Sequence, residues 1–577
     1  MTTDYRELCR RWLDSPALSE AEWRELSAVA ENDDELESRF YAPLAFGTAG
    51  LRGVMGMGIN RMNIHVIRHA TQAFAEIIAA EGPEACRAGV VVCYDCRINS
   101  ELFAQETACV MAANGIHVRL FDAMRPTPEL SFAVRYYGAT AGVNITASHN
   151  PPEYNGYKVY WSDGAQLPPP EADAVAQRMR ELDIFTGPKR MELDEAVKAG
   201  LLEYIGAETD EAFLERVLAQ AVNPDVVRQA AADFPVVYTP FHGAGRLLVP
   251  EALHRLGLTQ LHPVPEQMIP DGNFPTVKSP NPENPESFQL AEKLAAELDA
   301  DLIIGTDPDS DRVGVMVRRE GKYVPITGNQ MGALLLDYLI RAHRERGTLP
   351  ENPSVITTIV SSLMIDEIAA QNGLRCDRTF TGFKFMAELL AEYEEQNSYN
   401  YVMAFEESYG YMTGEFVRDK DAVTASVLIT EMAAYFHLQG MTLLDALDAM
   451  YTRYGWFGEK TLNLVMPGVD GLERMQALMA SLRSDPPASL GGTAVTQMRD
   501  YLSGDIHVAG LVVDKTHIVG SNVLYFELED GSVFIVRPSG TEPKIKIYLL
   551  VRGESAAERD ERLTQYAQSA KELESRV

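Results

Sequence analysis

Residues 146–158, Thr-Ala-Ser-His-Asn-Pro-Pro-Glu-Tyr-Asn-Gly-Tyr-Lys, set Ser148 where the short apolar run Gly142 to Ile145 ends. A serine hydroxyl is a poor nucleophile until something polarises it. Held on a rigid turn with cations nearby, it becomes a good phosphoryl acceptor. Asn150-Pro151-Pro152 supplies the turn, Lys158 a cation, and His149 a group able to shuttle a proton or to bond phosphate. The same residues also suit a plain turn, in which such side chains satisfy backbone groups.

Three further loops carry chemistry. In Asp307-Pro308-Asp309-Ser310-Asp311-Arg312 a carboxylate recurs at every second position, directly after Leu302-Ile303-Ile304-Gly305-Thr306. Carboxylates so spaced can converge on one hard cation, and an incomplete oxygen shell suits Mg²⁺. An EF-hand opens similarly but wants Gly at the position of Arg312 and Glu at that of Arg318, so it is excluded. In Phe405-Glu406-Glu407-Ser408 the carboxylates and hydroxyl suit vicinal sugar hydroxyls and are the wrong groups for phosphate. Downstream, Arg418 and Lys420 add cations, while Asp419 and Asp421 read as a charged helix start. In Arg537-Pro538-Ser539-Gly540-Thr541 a guanidinium fork, two hydroxyls and an exposed backbone form a phosphate cradle without a Walker motif. A tight hairpin turn is the plainer reading of that run.

Composition narrows the classes. The net charge of −32 argues against a nucleic-acid partner, because phosphate backbones need a basic face. It also demands that an enzyme acting on phosphates concentrate its cations inside the site. No apolar run is long enough to span a bilayer, and no basic flank precedes an apolar stretch at Met1, so a cytoplasmic protein with no membrane partner is expected. Of the six cysteines, Cys93 and Cys96 have metal or redox spacing. No second such pair and no nearby His completes a zinc site, so free thiols are expected.

The elements that must position these loops are legible as alternating strands and helices. Residues 1 to about 40 read as helical, with Ser19 to Glu22 as a capping box. Strands are expected at Gly89 to Tyr94, Ile116 to Phe121, Phe234 to Tyr238, Asp301 to Thr306, Val355 to Val360 and Tyr401 to Phe405, with a helix at Glu101 to Asn114. This rhythm predicts parallel α/β layers. Junctions are expected near 200–230 and 325–335. After about residue 452 the style becomes α+β, with strands at Val533 to Arg537 and Ile545 to Val551 and a last helix near Glu554 to Ser575. Ser148, Asp307 and Glu406 each fall where a buried strand runs out, which is where open α/β sheets bind ligands.

Together the four loops resemble those of the α-D-phosphohexomutases, over nearly the whole chain and in the same order. The resemblance implies three similar α/β domains and a smaller C-terminal α+β, TATA-binding-protein-like domain around a central cleft. The expected bounds are 1–205, 206–324, 325–452 and 453–577. It implies that Ser148 is the phosphorylated nucleophile and a metal ligand, that Asp307, Asp309 and Asp311 hold Mg²⁺, and that Arg52, His149, Lys158 and Lys420 serve the transferring phosphate. Arg312, Gly382, Phe383, Lys384, Glu406 and Ser408 are expected to contact the sugar phosphate, and Arg537, Ser539, Gly540 and Thr541 the distal phosphate. The Asp-Pro-Asp-Ser-Asp-Arg run departs from the commoner glycine-bearing version but keeps its ligands.

The N-terminal extension and the Glu-Glu-Ser form are similar to the long branch containing phosphoglucomutases, phosphopentomutases and glucose-1,6-bisphosphate synthases. The expected activity is interconversion of glucose 1-phosphate and glucose 6-phosphate, with glucose 1,6-bisphosphate as intermediate and activator. A phosphopentomutase, or a non-catalytic sugar-phosphate sensor, is the alternative. Nothing in the sequence sets the oligomeric state.

Overall fold

The computed structural model describes residues 4–466, 471–539 and 544–573. The chain divides into two compact units, Met1–Ile326 with Tyr409–Thr442, and Thr327–Ser408 with Leu443–Val577.

Three helices, Tyr5–Leu13, Glu20–Val29 and Asp33–Phe40, open the first unit. The capping box is present: Ser19 Oγ accepts the Glu22 N–H at 3.3 Å, and Glu22 Oε2 accepts the Ser19 N–H at 2.7 Å. The first sheet runs in the order Leu51–Val54, Tyr154–Trp161, Ala141–Ile145, Val90–Tyr94, Val118–Phe121, Leu202–Ile205. Ala141–Ile145 and Val90–Tyr94 are buried at every position, as parallel strands covered on both faces must be. Helices Ile64–Ala80 and Ser100–Ala113 pack Phe74, Phe103 and Met111 on one side. Thr127–Tyr136 packs Leu130 and Val134 on the other.

The parallel expectation holds only in part. Tyr154–Trp161 returns antiparallel to Ala141–Ile145 and sets Lys158 opposite Asn144. In the second sheet Leu302–Thr306 lies parallel to Val236–Thr239 but antiparallel to Val313–Arg319. The acidic loop 307–312 is therefore the turn between two paired strands, which is why it is short. The expected junctions are largely helical, with Ala207–Leu218, Asp225–Ala230 and Gly328–Arg346. Residues 409–442, expected within the third domain, pack into the first unit, where helix Ala422–His437 lies against Asp225–Ala230 and Gly245–Leu256.

In the second unit Arg375–Thr379, Pro353–Thr358 and Asn400–Glu406 form a parallel set. The C-terminal sheet is antiparallel throughout, and its alternation splits its side chains between two faces. Leu524, Phe526, Phe534, Ile547 and Leu549 meet the helices Gly471–Ser484 and Ala556–Glu572. Tyr525, Ile535 and Tyr548 face Ile359, Val360 and Phe380. Among the described residues no helix is long and apolar enough to cross a membrane.

Candidate active site

In the first unit Ser148 lies three residues past the strand Ala141–Ile145, and its φ of 51° puts it in the left-handed region that costs a non-glycine residue energy. A buried network holds it there. Thr146 Oγ accepts the Ser148 N–H at 2.8 Å and donates to Asp95 Oδ2 at 2.6 Å. Arg97, buried beside Asp95, donates Nη1 to the carbonyls of Pro151 and Tyr154 at 2.9 and 3.0 Å. Its Nη2 donates to the carbonyls of Ser148 and Asn150. One guanidinium thus pins both ends of the serine turn. Arg97 belongs to none of the four loops read from the sequence. The available signal was an Asp-x-Arg directly after a buried strand. None of the six cysteines is in a disulfide.

The Asp307–Arg312 turn meets the serine. Ser148 Oγ donates to Asp307 Oδ2 at 2.8 Å, and Asp307 Oδ1 accepts the backbone N–H groups of Asp311 and Arg312 at 3.1 and 2.9 Å. The backbone of the turn at Pro308 passes close to Gly243, where a Cβ would stand 2.4 Å from the Pro308 Cα. Lys158 Nζ donates to Asp309 Oδ2 at 2.7 Å and to Asp311 Oδ2 at 3.1 Å. Lys420 Nζ lies 3.3 Å from Asp311 Oδ2 and 3.0 Å from Asp419 Oδ1. Lys158 reaches the triplet because its strand folds back on the serine's strand, a pairing the sequence did not reveal.

Asp421 caps the helix Ala422–His437 as expected, accepting the Val423 and Thr424 N–H groups. Asp419 does not cap it. It is buried, accepts the Tyr160 hydroxyl at 2.9 Å and holds Lys420 in place. Two more residues that sequence reasoning missed sit behind Asp309: Thr127 Oγ donates to Asp309 Oδ2 at 2.8 Å, and Asn144 Nδ2 donates to Thr127 Oγ at 2.7 Å.

Charge and burial set the protonation of this cluster. Burial, reinforced by the charges of Asp309 and Asp311, holds the Asp307 carboxyl well above its ordinary range. Burial would also raise Asp311, but Lys158 and Lys420 outweigh it and hold that carboxylate down. Burial would depress the Lys158 ammonium, and Asp309 with Asp311 reverses this. His149 Nδ1 stands 3.2 Å from Ser148 Oγ. Burial, then the positive charges of Arg312 and Arg52, keeps its imidazole well below the usual value.

The triplet fits a divalent cation. One oxygen from each of Asp307, Asp309 and Asp311 lies within 4.8 Å of the others. Asp309 Oδ1 and Asp311 Oδ1 are buried with no hydrogen-bond partner, and an unpaired buried carboxylate oxygen is costly unless a cation meets it. Hard oxygens in an incomplete shell are the donor set that Mg²⁺ takes. Nearby, Arg52 Nη1 donates to Asn150 Oδ1 at 3.0 Å, and Arg312 Nη1 donates to Glu283 Oε1 at 2.8 Å.

The second unit brings two separate predicted loops together. Glu406 ends the strand Asn400–Glu406, and its Oε1 accepts the Gly382 N–H, while Oε2 accepts the Ser408 hydroxyl at 3.3 Å. Gly382, at φ 120°, precedes the helix Phe383–Gln396, and Lys384 Nζ lies 4.6 Å over the Phe385 ring. Arg537 lies near the end of Val533–Pro538, and the Ser539 N–H donates to the Lys544 carbonyl at 2.8 Å. Gly540 and Thr541 lie outside the described residues.

Four stretches match one family in order. Residues 43–184, 211–321 and 327–454 match "Phosphoglucomutase/phosphomannomutase, alpha/beta/alpha domain I", "II" and "III", and 493–563 matches its "C-terminal domain". The phosphoglucomutase of Staphylococcus aureus strain N315 is 36% identical over 532 residues, which cover 90% of this chain and 92% of that one. The chain belongs to the phosphoglucomutase/phosphomannomutase family. Solved structures share the fold. Pp63/parafusin of Paramecium, an exocytosis-sensitive phosphoprotein and phosphoglucomutase, superposes with a TM-score of 0.68 at 17% identity, covering 93% of this chain and 95% of that one. A family protein of Burkholderia thailandensis gives 0.64 at 18% identity, covering 92% and 97%. This family member is therefore an enzyme, an isomerase of the phosphohexomutase type with four domains.

Proposed function

We propose that this enzyme interconverts glucose 1-phosphate and glucose 6-phosphate through a phosphoserine at Ser148. The observation that carries this reading is the contact of Ser148 Oγ with Asp307 at 2.8 Å, beside two lysines that converge on Asp311. The likeness to the S. aureus phosphoglucomutase favours glucose over pentose substrates. In the forward half-reaction the free sugar hydroxyl attacks the phosphorus on Ser148, and its proton passes, by way of a base for which Lys158, Lys420 and His149 are the candidates, to the departing Ser148 Oγ. The bond from phosphorus to Ser148 Oγ breaks as the bond to the sugar oxygen forms, giving glucose 1,6-bisphosphate. After the bisphosphate reorients, Ser148 Oγ takes the other phosphoryl group, and the released sugar oxygen recovers a proton.

A Mg²⁺ ion held by Asp307, Asp309 and Asp311, with an oxygen of the phosphorylated Ser148 as a further ligand, would withdraw charge from the phosphoryl group. Lys158, Lys420 and Arg52 neutralise the oxygens of the transferring group. His149 Nδ1, at 3.2 Å, is placed to exchange the serine proton. Glu406, with Ser408 bonded to it, takes sugar hydroxyls, and the turn of Gly382, Phe383, Lys384 borders the same carboxylate. Arg312 adds a cation toward the sugar phosphate. Arg537, Ser539, Gly540 and Thr541 hold the phosphate that is not transferring. One cradle must hold either phosphate of the bisphosphate, which accounts for its generic donors.

Side-by-side kinetics on glucose, mannose and ribose 1-phosphates, with glucose 1,6-bisphosphate as activator, test the substrate. The highest kcat/KM is expected on glucose 1-phosphate. A higher value on ribose 1-phosphate moves the enzyme to the phosphopentomutase reading.

A further inference from the structure

The three opening helices precede residue 43, where the match to the family's first domain begins, and the proposed chemistry does not use them. They share a small apolar core. Trp12 meets Phe40 edge-on with ring centroids 5.6 Å apart, and Leu26 and Leu36 pack beside them. Met57 is buried in that same core although it belongs to the loop 55–62.

Polar contacts grip the same loop. Glu25 Oε1 accepts the Met57 N–H at 2.9 Å. Arg39 Nη1 donates to Glu25 Oε1 at 2.8 Å and to the Met57 carbonyl at 3.1 Å, while its Nε donates to Glu35 Oε2 at 3.1 Å. This guanidinium, on a side chain 13% exposed, thus ties two helices to the loop. The Arg39 carbonyl accepts the Asn60 N–H at 3.0 Å, and the Ser38 carbonyl accepts Asn60 Nδ2 and Arg61 Nη1 at 2.9 and 3.0 Å. Gly58, at φ 131°, permits the approach, since a Cβ there would stand 2.8 Å from the Arg39 carbonyl oxygen.

The loop continues the strand Leu51–Val54, which carries Arg52. That strand is the edge of its sheet, so only Tyr154–Trp161 holds it laterally, with Arg52 opposite Gly156. Beyond Val54 its course is set by the loop. The Met62 N–H returns to the Val54 carbonyl at 2.9 Å, and Asn63 Nδ2 donates to the carbonyls of Gly56 and Gly58 at 2.9 Å each. We propose that the helical segment 4–40 aims Arg52 at the transferring phosphate, with Arg39 as a positioning residue. The proposal rests on the roles given above to Ser148 and Arg52. The helices seat Met57, the loop seats the strand end, and the strand aims the guanidinium, whose Nη1 reaches Asn150 of the serine turn.

Arg39→Ala in the full-length protein tests this. Hydrogen exchange should quicken at Met57 and Asn60 and along Leu51–Val54, a readout that needs no turnover. The kcat should fall about tenfold to a hundredfold with the KM for glucose 1-phosphate little changed, because a displacement of about 1 Å costs on the order of a hundredfold in rate. Arg39→Lys keeps the charge and the aliphatic stem, guards against general unfolding, and should show the same pattern at smaller size. In an Arg52→Ala background Arg39→Ala should cost no further kcat, whereas losses from independent causes add. Unchanged exchange along Leu51–Val54 in both Arg39 variants would overturn the clamp. Quicker exchange with wild-type kcat, or an equal further loss in the Arg52→Ala background, would overturn the positioning role. A wild type inactive on glucose 1-phosphate would count against the proposed function and leave the exchange result readable.

Discussion

Replacing Arg97 by lysine removes a fork and keeps a charge. Arg97 serves the carbonyls of Ser148, Asn150, Pro151 and Tyr154 at once. An ammonium has three donors on one point and cannot span four acceptors spread along the turn. At least one carbonyl then loses a charged donor. Each such bond is worth about 1.5–3 kcal/mol, so Arg97→Lys should destabilise the turn by at least about 1.5–3 kcal/mol. The catalytic effect follows from position. Ser148 already sits in a strained conformation, and a displacement of about 1 Å costs on the order of a hundredfold in rate. The expected result is a kcat about a hundredfold lower, with the KM for glucose 1-phosphate little changed. A dehydrogenase-coupled assay reads the rate, and hydrogen exchange across residues 146–154 reads the turn. Wild-type kcat, or a slow enzyme whose turn exchanges as in the wild type, would refute the clamp.

Asp309→Asn should raise the Mg²⁺ concentration needed for half-maximal activity, because a neutral amide loses the charge attraction. EDTA should silence the wild type and Mg²⁺ restore it, and an enzyme indifferent to chelation would contradict the metal assignment. Arg537→Ala should raise KM about tenfold to a hundredfold in both reaction directions, and a defect in one direction alone would contradict a shared cradle. Burial pushes the Asp421 carboxyl up to about 6, from 3.8. The folded state therefore binds a proton that the unfolded chain has released between those values, and stability falls as pH rises through that window. The shift is worth about 3 kcal/mol. Denaturant unfolding from pH 4 to 7 should show this slope, and Asp421→Asn should flatten it.

Buried parallel strands announce themselves as short continuous apolar runs, so the positions of Ser148, Asp307 and Glu406 at strand ends were legible. The chemistry on those loops was legible too, because residue type and spacing carry it. What escaped was set by pairing. Tyr154–Trp161 carries Asn155 and Lys158 among its apolar residues, which masks it as a strand, and its return beside Ala141–Ile145 is what delivers Lys158 to the carboxylates. Asp419 read as a helix start because nothing nearby in sequence shows that Tyr160 and Lys420 enclose it. Arg97 acts through backbone carbonyls, Thr127 through the Asp309 carboxylate and Asn144 through the Thr127 hydroxyl, partners that lie distant in sequence.

The central claim is that Ser148 carries the phosphoryl group. Incubation with glucose 1,6-bisphosphate and Mg²⁺, followed by digestion and phosphopeptide mapping, tests it directly. One phosphate on Ser148 is expected in the wild type, and a Ser148→Ala variant should show none there and no mutase turnover. Phosphate on another residue, or near-wild-type turnover by Ser148→Ala, would contradict the account.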